Sequence, residues 1–366
     1  MRILILANIG IGLYKFRREL LEELVKEHEV FFCIPNDEYV EPIKALGCQF
    51  IDNPLLDRHG TNPVKELKLI GFYKNVLRSI KPNIVFTYTI KPNAYGGMAC
   101  ASLGIPYVVN VTGLGTAVEN GGLMQRVALM LYKAGLRKAQ KVFFQNTENR
   151  DFMVSRGVVK DRYDMLPGSG VNLDQYQTQP YPNGETIDFV FIARVMKEKG
   201  IDQYLEAAKV IRERHPETRF HICGFCEQNY EQTLRELSDN GTVIYHGLVA
   251  DMKPIYCMAS CTVHPTYYPE GLSNVLLESA ASGRPIITTN RSGCREVITD
   301  DVNGFIVKQQ DSADLIEKIE KFLALSNAER KAMGLAGRAK VESEFDRKIV
   351  IQKYLEETKK VCKNGL

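Results

Sequence analysis

The sequence is short of the features that mark several large classes of protein. Among its 366 residues no apolar run reaches the roughly 18–20 needed to cross a bilayer, so no membrane span is expected. The opening MRILILAN runs straight into a strand pattern and lacks the layout of a signal peptide, which points to a cytoplasmic chain. The formal net charge is only +3, too little for a whole-molecule basic field, and no nucleic-acid partner is expected. Six histidines are scattered without an HxxxH pairing, and no Asp-x-Asp follows a strand where a metal-dependent enzyme would hold its cation. No metal and no other cofactor are therefore expected. Nine cysteines, an odd number at irregular spacing, fit a reducing compartment better than a disulfide framework. Cys223 and Cys226 form a CxxC, and Cys257 with Cys261 could complete four thiolates. However, Cys223 ends a predicted core strand and the second pair has a less typical spacing, so small buried side chains are the better reading. Fixed-period repeats and low-complexity tracts are also missing.

What is present is the substance of two globular domains. The length exceeds one ordinary core, and 45% hydrophobic with 25% charged residues is the composition of a folded soluble chain. Short apolar runs at Arg2–Ala7, Glu29–Ile34, Asn83–Tyr88, Tyr107–Val111 and Lys141–Gln145 read as strands. A helix is expected over Phe16–Lys26, and helix-like segments precede the later strands. The Leu166-Pro-Gly-Ser-Gly170 segment punctuates the chain, and the pattern restarts. Strands are expected at Ile187–Ile192, Arg219–Cys223, Val243–His246, Cys261–His264, Pro285–Thr289 and Gly304–Val307. Helices are expected over Gly200–Arg214, Glu227–Asn240, Leu272–Ser282 and Ser312–Leu325. This alternation is that of α/β chains with doubly wound parallel sheets. It predicts two Rossmann-like domains, residues 1–168 and 169–347, with a last helix from about 348 long enough to pack back across the joint.

Charge is unevenly spread. Residues 62–141 hold eleven Lys and Arg against two acids, Glu66 and Glu119, a local excess of +9 that suits an anionic partner. Within it, a helix over Leu123–Lys141 puts Arg126, Lys133, Arg137 and Lys141 on one stripe among apolar positions. That arrangement fits an anionic membrane surface, or equally a buried helix with one wet edge.

Three motifs carry chemistry. The first loop, Asn8-Ile-Gly10-Ile-Gly12-Leu-Tyr-Lys15, puts glycines between a strand and a helix, where backbone N–H groups can approach a phosphate. The dinucleotide fingerprint would need a third glycine where Lys15 stands, and Asp37 is poorly spaced for a ribose-binding acid. In the second motif, Arg194 and Lys199 follow a strand and open a helix, placing two cations at the carboxyl end of a parallel sheet. Such cations can stabilise a departing diphosphate. In the third, Pro269-Glu270-Gly271-Leu-Ser-Asn274-Val-Leu-Leu-Glu278, Glu270 stands at the mouth of a helix and Glu278 lies two turns further in, where a ribose diol would be a suitable partner. The N–H groups of Leu272, Ser273, Asn274 and Val275 would point at a phosphate.

Together, Arg194…Lys199 and Glu270-x7-Glu278 in the second of two Rossmann-like domains resemble glycosyltransferase family 4, as do Ser292-Gly-Cys-Arg-Glu-Val-Ile and Asn303-Gly304-Phe. The resemblance covers nearly the whole chain. It implies a GT-B fold, two domains facing a cleft, with an acceptor-binding first domain and a donor-binding second one. It also implies retaining transfer of a hexose, N-acetylhexosamine or uronic acid from a nucleotide-sugar, a UDP-sugar by preference, without metal. By the resemblance Arg194 and Lys199 bind the donor diphosphate, Glu278 the ribose and Glu270 the donor sugar near the reacting centre. Gly12 lets the first-domain loop close over the phosphates, Gly271 belongs with the helix mouth, and the backbone near Leu248 and Val249 cups the base. Family members usually carry a first-domain histidine after the strand that corresponds to Tyr107–Val111; here Asn110-Val-Thr112-Gly113 stands, leaving Thr112 as the candidate. Gly12-Leu-Tyr-Lys-Phe-Arg, Thr89-Ile-Lys91-Pro-Asn93-Ala-Tyr-Gly96 and Val111-Thr-Gly-Leu-Gly115 are similar to bacterial enzymes that extend sugars on undecaprenyl diphosphate. Those enzymes build capsule, O-antigen or N-glycan precursors, and several transfer N-acetylgalactosamine or galacturonate. Lys15, Arg58, Lys91 and Thr112 become the acceptor-side candidates, the acceptor a polyprenyl-diphosphate-linked saccharide, and the location the inner leaflet as a peripheral protein. A two-domain nucleotide-sugar epimerase and a non-catalytic nucleotide-binding module are the alternatives. The first lacks its expected set of acids and histidines, and the intact cation and acid pairs argue against the second.

Overall fold

A computed structural model describes residues 1–57, 63–119 and 121–364. The chain divides into two compact units, Met1–Gly170 with Lys348–Leu366, and Val171–Arg347.

The first unit runs β1 Arg2–Leu6, α1 Gly10–Leu24, β2 Glu29–Ile34, α2 Val40–Lys44, β3 Gln49–Asp52, α3 Pro63–Ile80 and β4 Ile84–Tyr88. After a π-turn at Pro92–Gly96 come α4 Gly97–Leu103, β5 Tyr107–Val111, α5 Thr116–Glu119, α6 Gly122–Leu136, β6 Lys141–Phe144, α7 Thr147–Ser155 and β7 Tyr163–Met165. The second unit runs β8 Ile187–Ile192, a 3-10 turn Lys197–Lys199, α8 Ile201–Arg214, β9 Thr218–Cys223, α9 Glu231–Asp239, β10 Ile244–Gly247 and α10 Lys253–Met258. It continues with β11 Cys261–His264, α11 Asn274–Ala281, β12 Ile286–Thr289, β13 Gly304–Val307, α12 Ser312–Leu323 and α13 Asn327–Glu344. Helix α14, Arg347–Asn364, leads back to the first unit.

Both sheets are parallel, as the alternating pattern predicts. Their orders are β3-β2-β1-β4-β5-β6-β7 and β10-β9-β8-β11-β12-β13. In each, strand order reverses once, at β1/β4 and at β8/β11, and the loops leaving such a switch point diverge to form a ligand crevice at the carboxyl edge. The period-2 alternation of β1 shows how both faces are covered. Ile3 and Ile5 enter one buried cluster with Leu13, Leu20 and Tyr354, while Leu4 and Leu6 enter another with Tyr73, Val109 and Tyr132.

Several element boundaries differ from expectation: the helix expected over Leu123–Lys141 ends at Leu136, so that Lys141 opens β6 and leaves the basic stripe, and the one expected from Glu227 begins at Glu231, the Glu227 N–H being bonded to the Val195 carbonyl. Helix α1 begins at Gly10, six residues before the expected start at Phe16, because Asp37 from the loop after β2 accepts the Gly10 N–H at 2.6 Å and satisfies an open helix terminus. Helix α11 begins at Asn274, since Ser273 is extended at ψ 109° and stands as its N-cap, with its N–H bonded to the Gly293 carbonyl at 2.8 Å.

Helix α14 completes the first core. The Tyr354 ring meets Phe86 edge-on at 4.9 Å and Phe143 at 5.3 Å, and its hydroxyl accepts from Asn110 Nδ2 at 2.9 Å. That bond ends a buried chain: Thr87 Oγ1 donates to Asn93 Oδ1 at 2.7 Å, and Asn93 Nδ2 donates to the Asn110 carbonyl at 2.8 Å. Lys353 pairs with Asp164 at 2.7 Å, fastening the same helix beside β7. Tyr354→Ala should therefore destabilise the first unit by about 3–5 kcal/mol through lost aromatic packing. Tyr354→Phe should cost about 1–3 kcal/mol by leaving the Asn110 amide unsatisfied. Urea unfolding followed by tyrosine absorbance checks this ordering, and equal losses would contradict it.

Candidate functional site

The loops after β8 and β11 leave the second sheet on either side of its switch point, and their side chains converge. Gly200, with φ +78°, follows the turn that carries Lys199, and a Cβ there would sit 2.1 Å from the Pro265 carbonyl oxygen. Only glycine permits this approach, which brings the β8 loop against the β11 loop. Further bonds fix the contact: Tyr267 N donates to the Glu198 carbonyl at 2.9 Å, and Thr266 Oγ1 donates to the same oxygen at 3.2 Å. Lys199 Nζ consequently forms an ion pair with Glu270 Oε1, the two side chains 10% and 19% exposed.

Arg194 is the second cation. It pairs with Glu227, and Gln228 ties that loop to the Lys199 turn by accepting the Lys197 N–H at 2.8 Å and donating to Glu198 Oε2 at 3.0 Å. Arg194 Cζ lies 5.4 Å and Lys199 Nζ 4.7 Å from the centre of the Tyr268 ring. Burial works to lower the Arg194 pKa, but Glu227 and then Tyr268 override it and hold it above the ordinary value. Burial likewise pushes the Glu270 carboxyl upward, and the charge and hydrogen bond of Lys199 override it, with Arg194 adding, so that it titrates below the usual range. His264, at the end of β11, is buried. Burial first, and Lys199 second, push it down to about 3, so it is neutral beneath the pair. Its Nε2 lies 3.4 Å from Ser273 Oγ.

Glu270 and Gly271 are braced from behind. Gly293, with φ +91°, packs its Cα where a Cβ would be 2.9 Å from both the Glu270 Cβ and the Gly271 oxygen. Glu296 holds that turn by accepting the Gly293 N–H at 2.7 Å and the Ser292 hydroxyl at 3.0 Å. Glu278, on α11, is half-buried and accepts the Tyr256 hydroxyl at 3.2 Å. Burial and then the Glu278 charge push the Tyr176 phenol up, which puts a second tyrosine beside this carboxylate. Leu248 is 77% exposed after β10, and Val249 packs partly against the cluster around Tyr256.

The second unit thus gathers Arg194, Lys199, Glu270 and Gly271 at one edge, with Leu272 and Ser273 leading into α11, which supplies Asn274, Val275 and Glu278. Of the four amides expected to face a phosphate, that of Ser273 is engaged by Gly293. In the first unit, Gly12 stands in the first turn of α1 and not in a loop, Lys15 is exposed on the same helix, and Thr112 follows β5. The Lys91 charge is matched inside the unit: its Nζ pairs with Glu66 at 2.6 Å and donates to the Asp57 carbonyl at 2.6 Å. Arg58 lies outside the described residues. Asp37 caps α1, which accounts for it without a ribose. Among the described residues no three His, Cys, Asp or Glu side chains stand together as a metal site, and all nine cysteines are free thiols. Glu227, Gln228 and Tyr268 carried no signal in the sequence, because their partners lie in other loops, whereas Gly293 and Glu296 stood inside the Ser292-Gly-Cys-Arg-Glu motif.

Comparison with known proteins follows this division. Residues 12–168 match the family described as "Glycosyl transferase 4-like domain", and residues 174–340 match "Glycosyl transferases group 1". Over 383 residues, covering 100% of both chains, the sequence is 27% identical to the N,N'-diacetylbacillosaminyl-diphospho-undecaprenol alpha-1,3-N-acetylgalactosaminyltransferase of Campylobacter jejuni. It is 25% identical to the capsular polysaccharide biosynthesis glycosyltransferase CapM of Staphylococcus aureus, covering 78% of this chain and 80% of that one. The fold is similar to that of Anabaena HepE solved with UDP and glucose, at a TM-score of 0.80 and 16% identity, covering 98% and 99% of the two chains. The chain carries a glycosyltransferase 4-like domain followed by a group 1 glycosyltransferase domain, and is a glycosyltransferase of the GT-B fold.

Proposed function

We propose that the chain moves a hexose, N-acetylhexosamine or uronic acid from a UDP-sugar, with retention and without metal, to a saccharide carried on a polyprenyl diphosphate. The product would serve surface polysaccharide or glycan assembly. The observation that carries this reading is the convergence of Arg194, Lys199 and Glu270 at the switch point of the second sheet. In that reading residues 169–347 bind the donor and residues 1–168 the acceptor. When the bond from the anomeric carbon to the diphosphate breaks, the electron pair goes to the phosphate oxygen, and the two cations stabilise the new charge in place of a metal ion. The acceptor hydroxyl attacks from the face the diphosphate leaves, forms the new bond to the anomeric carbon and passes its proton to the departing phosphate oxygen. Glu270 lies against the donor sugar, Glu278 takes the ribose diol, Leu248 and Val249 cup the base, and Gly271 with the amides of Leu272, Asn274 and Val275 faces the phosphates. Gly12 remains a donor-side candidate, and Lys15, Arg58, Lys91 and Thr112 are the acceptor-side candidates, with Lys91 entering from its pair with Glu66.

The named Campylobacter relative, whose substrate is lipid-linked, and the HepE complex with UDP support this choice of donor and acceptor. Helix α6 supports attachment to the inner leaflet. Its outer face exposes Leu123, Met124, Val127 and Met130, at 76, 56, 40 and 64%, beside exposed Arg126, Lys133 and Arg137. A buried helix would not leave this apolar row uncovered. Each basic residue near an anionic surface contributes on the order of 1 kcal/mol, enough in combination for reversible docking. No described helix is long and apolar enough to cross a membrane.

Three measurements test the proposal. Arg194→Ala and Lys199→Ala should each lower transfer by about 10²-fold or more in folded protein, in EDTA and in magnesium alike. Near-normal turnover in both, or a wild type that needs added metal, contradicts it. Glu278→Ala should chiefly weaken UDP binding and Glu270→Ala chiefly lower kcat; equal loss of UDP affinity in calorimetry refutes that division. In co-sedimentation the wild type should bind anionic vesicles at low salt and leave them at high salt. Changing Arg126, Lys133 and Arg137 together to Glu should abolish vesicle binding while UDP is still held, and unchanged sedimentation sinks the membrane role alone.

A further inference from the structure

Two like charges at one edge of a sheet repel each other, and each here leans on a carboxylate: Arg194 on Glu227, Lys199 on Glu270. An arriving diphosphate competes with both carboxylates, because it offers the same cations a larger negative charge. Once the cations turn toward it, something other than a carboxylate must keep them adjacent. The face of an aromatic ring does this: its quadrupole attracts a cation without presenting a formal charge that would repel a phosphate.

Tyr268 presents that face to both, 5.4 Å from Arg194 Cζ and 4.7 Å from Lys199 Nζ. Its backbone is held to the segment that carries Lys199. The Tyr268 N–H donates to Thr266 Oγ1 at 3.2 Å, Thr266 Oγ1 donates to the Glu198 carbonyl at 3.2 Å, and Tyr267 N donates to that carbonyl at 2.9 Å. The ring therefore keeps its station independently of either ion pair.

We propose that Tyr268 is a positioning residue whose ring face holds the Arg194 guanidinium and the Lys199 ammonium side by side, so that both meet the outer phosphate of the donor nucleotide together. This rests on the donor-diphosphate reading given under Proposed function. The hydroxyl also interacts with Arg194, but Lys199 is reached by the ring, so a phenylalanine keeps most of the effect and an aliphatic side chain does not.

The test compares calorimetric affinities for UDP and UMP, whose ratio isolates the outer phosphate; GDP with GMP, or ADP with AMP, replaces the pair if the wild type prefers that base. Tyr268→Leu should lower the diphosphate-to-monophosphate affinity ratio by about tenfold, the sum expected of two partly buried cation–π contacts, and leave monophosphate affinity unchanged. Tyr268→Phe should stay within about threefold of wild type. Tyr268→Met, also without a ring, should match Tyr268→Leu and serves if the latter does not fold. An unchanged ratio in the ring-free variants overturns the inference, as does an equal loss for diphosphate and monophosphate, or a Tyr268→Phe loss as large as that of Tyr268→Leu. Arg194→Ala and Lys199→Ala are measured alongside. If they reduce the ratio and Tyr268→Leu does not, only this inference falls. If neither reduces it, or the wild type gains nothing from the outer phosphate, the donor-diphosphate reading falls with it.

Discussion

Everything at the candidate site hangs on how near two backbones come at one point. The segment after β8 and the segment after β11 leave the second sheet at its switch point, where topology makes neighbouring loops diverge. Here the left-handed Gly200 lets one of them return against Pro265, where any Cβ would sit 2.1 Å from a carbonyl oxygen. Lys199, the preceding residue, is thereby delivered to Glu270, seventy-one positions later in the chain. Tyr268 and His264 come with the same loop. Gly293 repeats the device from the other side, bracing Glu270 by its lack of a side chain. Small residues thus set the spacing, and charged residues occupy the space they define.

The electrostatics of this edge follow from that spacing. Two cations and two carboxylates stand paired, and the buried His264 beneath them stays neutral because both burial and Lys199 oppose its protonation. Ions taken partly out of water need partners, and breaking such a pair without replacing it is costly. The edge is therefore stable only while its charges are balanced, and an anionic ligand must take the place of a carboxylate. The first unit treats Lys91 in the same way, with Glu66 and the Asp57 carbonyl at 2.6 Å each.

The sequence exposed most of the fold because parallel strands covered on both faces read as continuous apolar runs. RILIL, EVFFCI and IDFVFI needed no further information. The strands β3 and β7, QFID and YDM, are short, lie at the sheet edges and leave residues partly exposed, so nothing in their patterning set them apart. The start of α1 was illegible for a different reason: Gly10 and Gly12 argue for a loop locally, and the aspartate that stabilises the helix there is twenty-seven residues away. Helix α13 did carry a local sign, the Ser326 and Glu329 capping box, which periodicity alone passes over. At the site, motif spacing brought out Arg194, Lys199, Glu270 and Glu278. Glu227 and Tyr268 were hidden because their meaning depends on which loops meet in space. The pairing of Lys91 was hidden likewise, since its partner precedes it by twenty-five residues on another helix.

Helix α14 has a consequence for how the molecule comes into being. The core of the first unit contains Val350 and Tyr354, and its buried polar chain ends on the Tyr354 hydroxyl, yet these residues are made only after the whole second unit. During synthesis, residues 171–347 leave the ribosome with every strand and helix of their own sheet, whereas residues 1–170 emerge first and stay unfinished. The order of completion is therefore the reverse of the order of translation. Until α14 emerges the earlier half keeps an open apolar face over Phe86 and Phe143, the kind of surface that makes an incomplete domain prone to aggregate.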